Sequence, residues 1–184
     1  SSKVLLKELN KIKLKELNKK RKYLKTLEKF ELTDGNRKIS LEPTNMSFEV
    51  NFKLNYENKI IGNQLKSVNF YKDNLEEVYE SRTFCLYKDI EKIKKVGLAK
   101  GGSLENAIVV NDEKILNPEG LRNQNEFVNH KILDLAGDFL LSGHRILGKV
   151  ICDQGGHELT NKFLRKMLDS KTSYQILELK DFTF

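Results

Sequence analysis

Two of the chain's three histidines stand where they could do chemistry. His130 and Asp134 lie four residues apart in a segment whose apolar residues recur at helical spacing, so both side chains leave the same face. An imidazole and a carboxylate one turn apart can converge on a single ion, which is the logic of helix-borne zinc sites. The same spacing also suits a His–Asp contact satisfied in the core or turned to solvent, and the pattern alone does not choose between them. Glu126 and Asp138 extend the line by one turn in each direction, on a helix that is otherwise apolar around most of its circumference. Ionisable groups buried there are costly unless paired, hydrogen-bonded or bound to a metal, so the stripe needs partners. A catalytic zinc also takes three protein ligands and keeps one position open, and His144 and His157 do not plainly complete such a set.

His157 follows Gly155-Gly156 between a strand-like and a helix-like segment. Backbone N–H groups and the helix dipole favour an anion at such a place, although an ordinary glycine turn before a helix fits as well. Gly101-Gly102-Ser103 presents the same pair of readings.

The elements that must position these residues are legible as changes of period. Leu5, Leu9 and Ile12 mark an amphipathic helix that passes into a charged linker over residues 1–19. Strands are expected at 23–32 and 37–43, joined by the turn Thr33-Asp34-Gly35-Asn36. Phe48, Val50, Phe52, Leu54 and Tyr56 alternate with polar neighbours, as a half-buried strand requires. Val68 and Phe70 mark a further strand, and Asp73 or Asn74 caps the helix that follows. A compact insertion comes next: a helix at 89–96, a glycine turn, and two strands at 107–111 and 114–116. A long helix covers 126–141, with Asn123 and Glu126 as its capping pair, then a strand at 146–152 and a last helix at 158–168. This mixture lacks a strict βαβ rhythm. It predicts an α+β fold, an antiparallel sheet with helices packed on one face, plus a small β-α-β insertion.

Composition narrows the class. Apolar residues make up 39% and charged residues 32%, as in a globular protein with a heavily charged surface. The longest apolar run, 132–141, is interrupted by Asp134, Gly137 and Asp138 and is too short to span a bilayer, so no stable membrane anchor is expected. Cys85 and Cys152 are far apart without metal-type spacing, which suggests reduced thiols and a cytoplasmic location. The net charge of +7 comes mostly from dispersed lysines. The rival readings are a truncated, inactive remnant and a non-catalytic basic module contacting RNA or anionic lipid through the first 29 residues. That stretch has few arginines and, Tyr23 apart, no interleaved aromatics, so no nucleic-acid partner is expected. The chain starts at Ser1 and reads at once as helix, as a piece of a longer protein would.

An ordered set of segments resembles one family. Arg82-Thr83-Phe84, Gly101-Gly102-Ser103, Ala107-Ile108-Val109-Val110, Leu116-Asn117 and Glu119-Gly120-Leu121-Arg122 come first. Asn125-Glu126-Phe127-Val128-Asn129-His130-Lys131-Ile132-Leu133-Asp134 follows, then Gly137-Asp138, Gly155-Gly156-His157 and Asn161-Lys162. Their order and spacing are similar to the second domain of the zinc-dependent UDP-3-O-acyl-N-acetylglucosamine deacetylases of lipid A biosynthesis in Gram-negative bacteria.

The resemblance implies two α+β domains enclosing the active site. Residues 1–19 would be a helix and linker remnant of the first domain, and 20–184 the C-terminal domain with its insertion at about 85–110. It implies hydrolysis of the N-acetyl group of the UDP-sugar, with Zn2+ as cofactor and His130 and Asp134 as two of its ligands. It makes His157, Thr83 and Asp138 catalytic: His157 assists the leaving amine, Asp138 supports it and Thr83 holds the oxyanion. Lys131 would meet the diphosphate, Tyr56 the uracil, and Ile90, Ile93 and Val96 the acyl chain. The third zinc ligand and the glutamate base would come from the first domain, the expected partner. The chain departs from the family pattern around Tyr56, and at Gln154, where the resemblance leads one to expect a basic residue.

Overall fold

The computed structural model describes residues 2–12, 15, 17, 19–97 and 100–180; the side chains of Ser2, Lys3 and Ile93 are not described. Part of the expected linker (13, 14, 16 and 18) and the last four residues therefore lie outside the described residues, as does the expected acyl contact of the Ile93 side chain.

Helix α1 (Ser2–Leu9) opens the chain, and its apolar Val4 and Leu5 are 69% and 62% exposed. Strands β1 (Arg21–Thr26), β2 (Phe30–Asp34), β3 (Arg37–Glu42), β4 (Phe48–Asn55) and β5 (Asn63–Asn69) follow. Helix α2 (Glu76–Glu80) leads to β6 (Thr83–Leu86), α3 (Ile90–Lys95) and β7 (Ala107–Val110). The second half holds α4 (Glu126–Phe139), β8 (Arg145–Asp153), α5 (His157–Asp169) and β9 (Tyr174–Leu179).

The sheet is mixed, not antiparallel. β8 is its axis: Arg145–Leu147 pair parallel with β1, Gly148–Asp153 pair parallel with β4, and Lys149–Asp153 pair antiparallel with β3. Parallel neighbours need a crossover rather than a hairpin. The chain between β4 and β8 supplies it, with α4 as its long helix. β5 extends the sheet beside β4, β2 beside β3, and β9 beside β1, all antiparallel. The expected single strand at 23–32 is two strands, because β1 joins β8 and β9 while β2 turns back on β3 through Gly35 at φ 63. In the insertion, β6 and β7 run parallel around α3, and the expected strand at 114–116 is reduced to one bridge between Val110 and Ile115.

The core lies where the strands' buried alternation meets α4 and α5. β4 buries Phe48, Val50, Phe52 and Leu54 on one face, as its period of two requires. α5 buries Leu159, Phe163, Leu164 and Met167. A line of rings ties the layers together: Phe48 to Phe139 at 6.1 Å, Phe139 to Phe163 at 5.9 Å, and Phe163 to Phe30 at 5.4 Å. α4 therefore packs against both the sheet and α5, and its polar stripe emerges at a fixed place.

Glu126 does not cap α4. Its carboxylate is fully buried and accepts from the backbone N–H of Arg82 (3.0 Å) and Arg122 (2.6 Å) and from Arg82 Nε (2.9 Å). Arg82, also buried, donates further to Glu119 and to the Gly120 carbonyl. Asn123 Oδ1 instead accepts from the Asn125 N–H and from Asn129 Nδ2. At α2 it is Asn74 whose Oδ1 accepts the Glu76 N–H, while Asp73 accepts from Asn69.

Candidate active site

Once Glu126 is taken up by Arg82, three members of the α4 stripe remain. His130, Asp134 and Asp138 project one turn apart toward the start of α5, where His157 is its first residue. Asp134 Oδ2 lies 3.2 Å from His130 Nε2 and 3.8 Å from His157 Nε2. His157 Nδ1 lies 2.9 and 3.0 Å from the two Asp138 oxygens. An ionised carboxylate only accepts, so this nitrogen carries the proton and Nε2 is turned toward Asp134. His157 is exposed, whereas His130 is largely covered.

Burial pushes the His130 imidazolium below its ordinary range. Asp134 opposes that shift, Lys131 and His157 add to it, and contact with the Ser81 backbone weakly opposes it. His130 Nδ1 is buried with no hydrogen-bond partner among the described residues. Because the folded state holds less of the proton, protonation destabilises the fold as pH falls below 6.5. In the metal-free chain, an NMR titration of the imidazole is expected to give His130 a midpoint below 6.5; a midpoint above it would show that Asp134 outweighs burial.

The pair suits a metal in two respects. A ligating imidazole must be neutral, and burial favours that form. The edge of a tetrahedron with bonds of 2.0–2.1 Å is about 3.3 Å long, close to the His130–Asp134 separation of 3.2 Å. Among the described residues no group of three or more His, Cys, Asp or Glu side chains forms a metal-holding cluster.

Three of the remaining candidates line two cavities. Thr83, at the exposed start of β6, and Ile90 line a mostly apolar cavity of about 640 Å³ between β6, α3, β7 and the 101–104 turn. Val96 is exposed and is not among its lining residues. Tyr56 lines a second cavity of about 430 Å³ with Asn58, Lys88 and Asp112, and burial raises its phenol above the ordinary value. Lys131 sits beside Asp134 and Asp138 near Gly155-Gly156. These groups meet at Phe84, to which the sequence reading assigned no role. Its ring contacts Tyr56 at 5.7 Å, Phe127 at 5.0 Å and His130 at 6.4 Å, and Lys131 Nζ lies 5.6 Å from its centroid. Its only sequence signal is its place beside Thr83.

The glycine segments have structural occupations. Asn106 accepts the Ser103 N–H and donates to the Gly101 carbonyl, closing that turn on itself. At Gly155 a Cβ would stand 2.2 Å from Cys152 Sγ, so only glycine fits. Gln154 bonds the backbone of Asn55 through both ends of its amide.

Fold and site together define a class: a mixed α/β scaffold presenting a helix-borne histidine–carboxylate pair, with a second histidine alongside and an apolar cavity nearby. The model of the UDP-3-O-acyl N-acetylglycosamine deacetylase family matches residues 1–169, and the chain belongs to that family. The UDP-3-O-acyl-N-acetylglucosamine deacetylase of Campylobacter jejuni subsp. jejuni serotype O:23/36 is 39% identical over 176 residues, 95% of this chain and 60% of that protein. The protein of the same name from Campylobacter lari is 38% identical over 172 residues, 93% of this chain and 58% of its own length. That from Citrifermentans bemidjiense is 36% identical over 167 residues, covering 90% and 54%. The chain thus spans between 54% and 60% of the length of these relatives. No helix among the described residues is long and apolar enough to cross a membrane.

Proposed function

We propose that this chain forms one part of a zinc-dependent deacetylase that removes the N-acetyl group from a UDP-3-O-acyl-N-acetylglucosamine in lipid A biosynthesis, in the cytoplasm. The observation that carries the reading is Asp134 Oδ2 flanked by the Nε2 atoms of His130 and His157, in a chain of this family. His130 and Asp134 would hold the metal. Zinc there would supply a Lewis acid toward the acetamide carbonyl. Residues outside this chain supply the third ligand and the base that activates water, because two donors leave a catalytic zinc short by one.

The chain's own residues have the following parts in this reading. Asp138 fixes the His157 Nδ1–H, so a proton on Nε2 is aimed at the amine nitrogen as its bond to the acyl carbon breaks. The Thr83 hydroxyl donates to the oxygen on which charge develops. Lys131 meets the diphosphate, Tyr56 the uracil, and the cavity containing Ile90 the acyl chain.

Zinc titration tests the metal assignment. The chain is expected to bind zinc weakly, with binding lost in His130→Ala and Asp134→Ala and retained in His157→Ala. Undiminished binding in the His130 variant would show that the site is built differently. A second expected outcome concerns turnover. The chain alone should show no useful deacetylation of the UDP-sugar, and the remaining portion of the enzyme, added in cis or in trans, should restore it. Full activity of the chain by itself would place the base within these residues.

A further inference from the structure

Gln154 occupies the left-handed region at φ 58, an uncommon place for a residue other than glycine, asparagine or aspartate. It stands between the end of β8 at Asp153 and the start of α5 at His157. Its backbone N–H still donates to the Lys53 carbonyl at 3.0 Å, as the last rung between β8 and β4. There the backbone of residue 154 turns away, and its side chain continues the pairing. The Asn55 N–H donates to Gln154 Oε1 at 2.9 Å, and Gln154 Nε2 donates to the Asn55 carbonyl. One amide thus offers Asn55 the acceptor and the donor that a continuing β8 backbone would, while freeing its own backbone to turn.

Both ends of this clamp lead into the site. Asn55 immediately precedes Tyr56, whose ring reaches His130 through Phe84. Gln154 precedes Gly155, whose close approach to Cys152 Sγ fixes the path to His157. The His157 side is therefore held by packing. On the other side, β4 ends at Asn55, and the clamp is what ties that end to the turn.

We propose that Gln154 is a positioning residue: its side-chain amide locks the end of β4 that carries Tyr56 to the turn that carries His157, and so shapes the site for the uridine diphosphate end of the substrate. The proposal rests on the reading of Tyr56 and Lys131 as nucleotide contacts.

Gln154→Gly separates positioning from stability. It removes the amide but also the strain at φ 58, because glycine adopts positive φ freely. With loss and relief opposed, the melting temperature should move by less than about 4 °C. Gln154→Asn tolerates the same backbone but is one methylene too short to span to Asn55, so it should behave alike and serve if the glycine variant folds poorly. In both, hydrogen exchange at the Asn55 amide should quicken about tenfold, whereas the Tyr56 amide, which donates to the Gly62 carbonyl, should change less. Affinity for uridine diphosphate, titrated calorimetrically into the purified chain, should fall about tenfold. Unchanged exchange in both variants would overturn the clamp. Faster exchange with unchanged uridine diphosphate affinity would reduce Gln154 to a local element of the fold and overturn its positioning role. A wild-type chain that does not bind uridine diphosphate would overturn the nucleotide reading of Tyr56 and the positioning role together, while the exchange data would still decide whether the amide holds β4.

Discussion

His157→Gln, assayed with the remaining portion of the enzyme present, is expected to lose about 10²–10⁴-fold in kcat while keeping its zinc. The size follows from removing the proton donor that the proposed function places at the breaking bond. The retention of metal follows from geometry: His157 Nε2 lies 3.8 Å from Asp134 Oδ2, wider than the edge of a tetrahedral site, and its Nδ1 is committed to Asp138. Asp134→Ala should lose zinc and activity together, because it removes one of two donors held 3.2 Å apart. Steady-state rates and metal content measured on the same preparations separate the two behaviours. Loss of zinc in the His157 variant would make that histidine a ligand and leave the departing amine without a proton donor in this chain.

The largest effect on stability is expected at a buried ion pair, Arg82 and Glu126, one helical turn from His130 and next to Thr83. Glu126→Ala should destabilise the fold by about 3–5 kcal/mol, the usual penalty for stripping one member from a buried ion pair. It leaves Arg82 Nε and the backbone N–H groups of Arg82 and Arg122 without their acceptor, while Glu119 and the Gly120 carbonyl still hold the rest of the guanidinium. Arg82→Met should be milder, since Glu126 keeps both backbone donors. Glu126→Gln should fall between, keeping an oxygen and losing the charge. The pair also predicts a pH response. Burial pushes the Glu126 carboxyl up, but its hydrogen bonds to Arg82 and to the two backbone N–H groups outweigh burial and hold it below the ordinary 4.5. Its contribution is therefore complete above 4.5 and lost as pH falls through the lowered folded value. Urea denaturation at pH 7 and at acid pH, for wild type and Glu126→Gln, would show the difference; equal acid sensitivity would place the titrating group elsewhere.

The sequence by itself determined which residues could act and in what order. Periods of two and of 3.6 are local backbone properties, so β4 was legible from Phe48, Val50, Phe52 and Leu54, and α4 from its apolar face. The i, i+4 line of His130, Asp134 and Asp138 was legible for the same reason. β9, whose residues show no clean alternation, was not read, and its place is set by pairing with β1.

Tertiary structure decided what no local rule contains. Direction of strand pairing depends on crossovers, so the parallel flanks of β8 could not be read from any one segment. Glu126 looked like a member of the chemical stripe, and only the approach of β6 showed that Arg82 claims it. Phe84 gained its contacts with Tyr56, His130 and Lys131 because β6 packs over α4. Gln154 looked like a missing cation, and its amide proved to be engaged with Asn55, 99 residues away in sequence. Spacing along one helix fixes which side chains share a face, whereas partners contributed by distant segments are fixed only when the chain closes on itself.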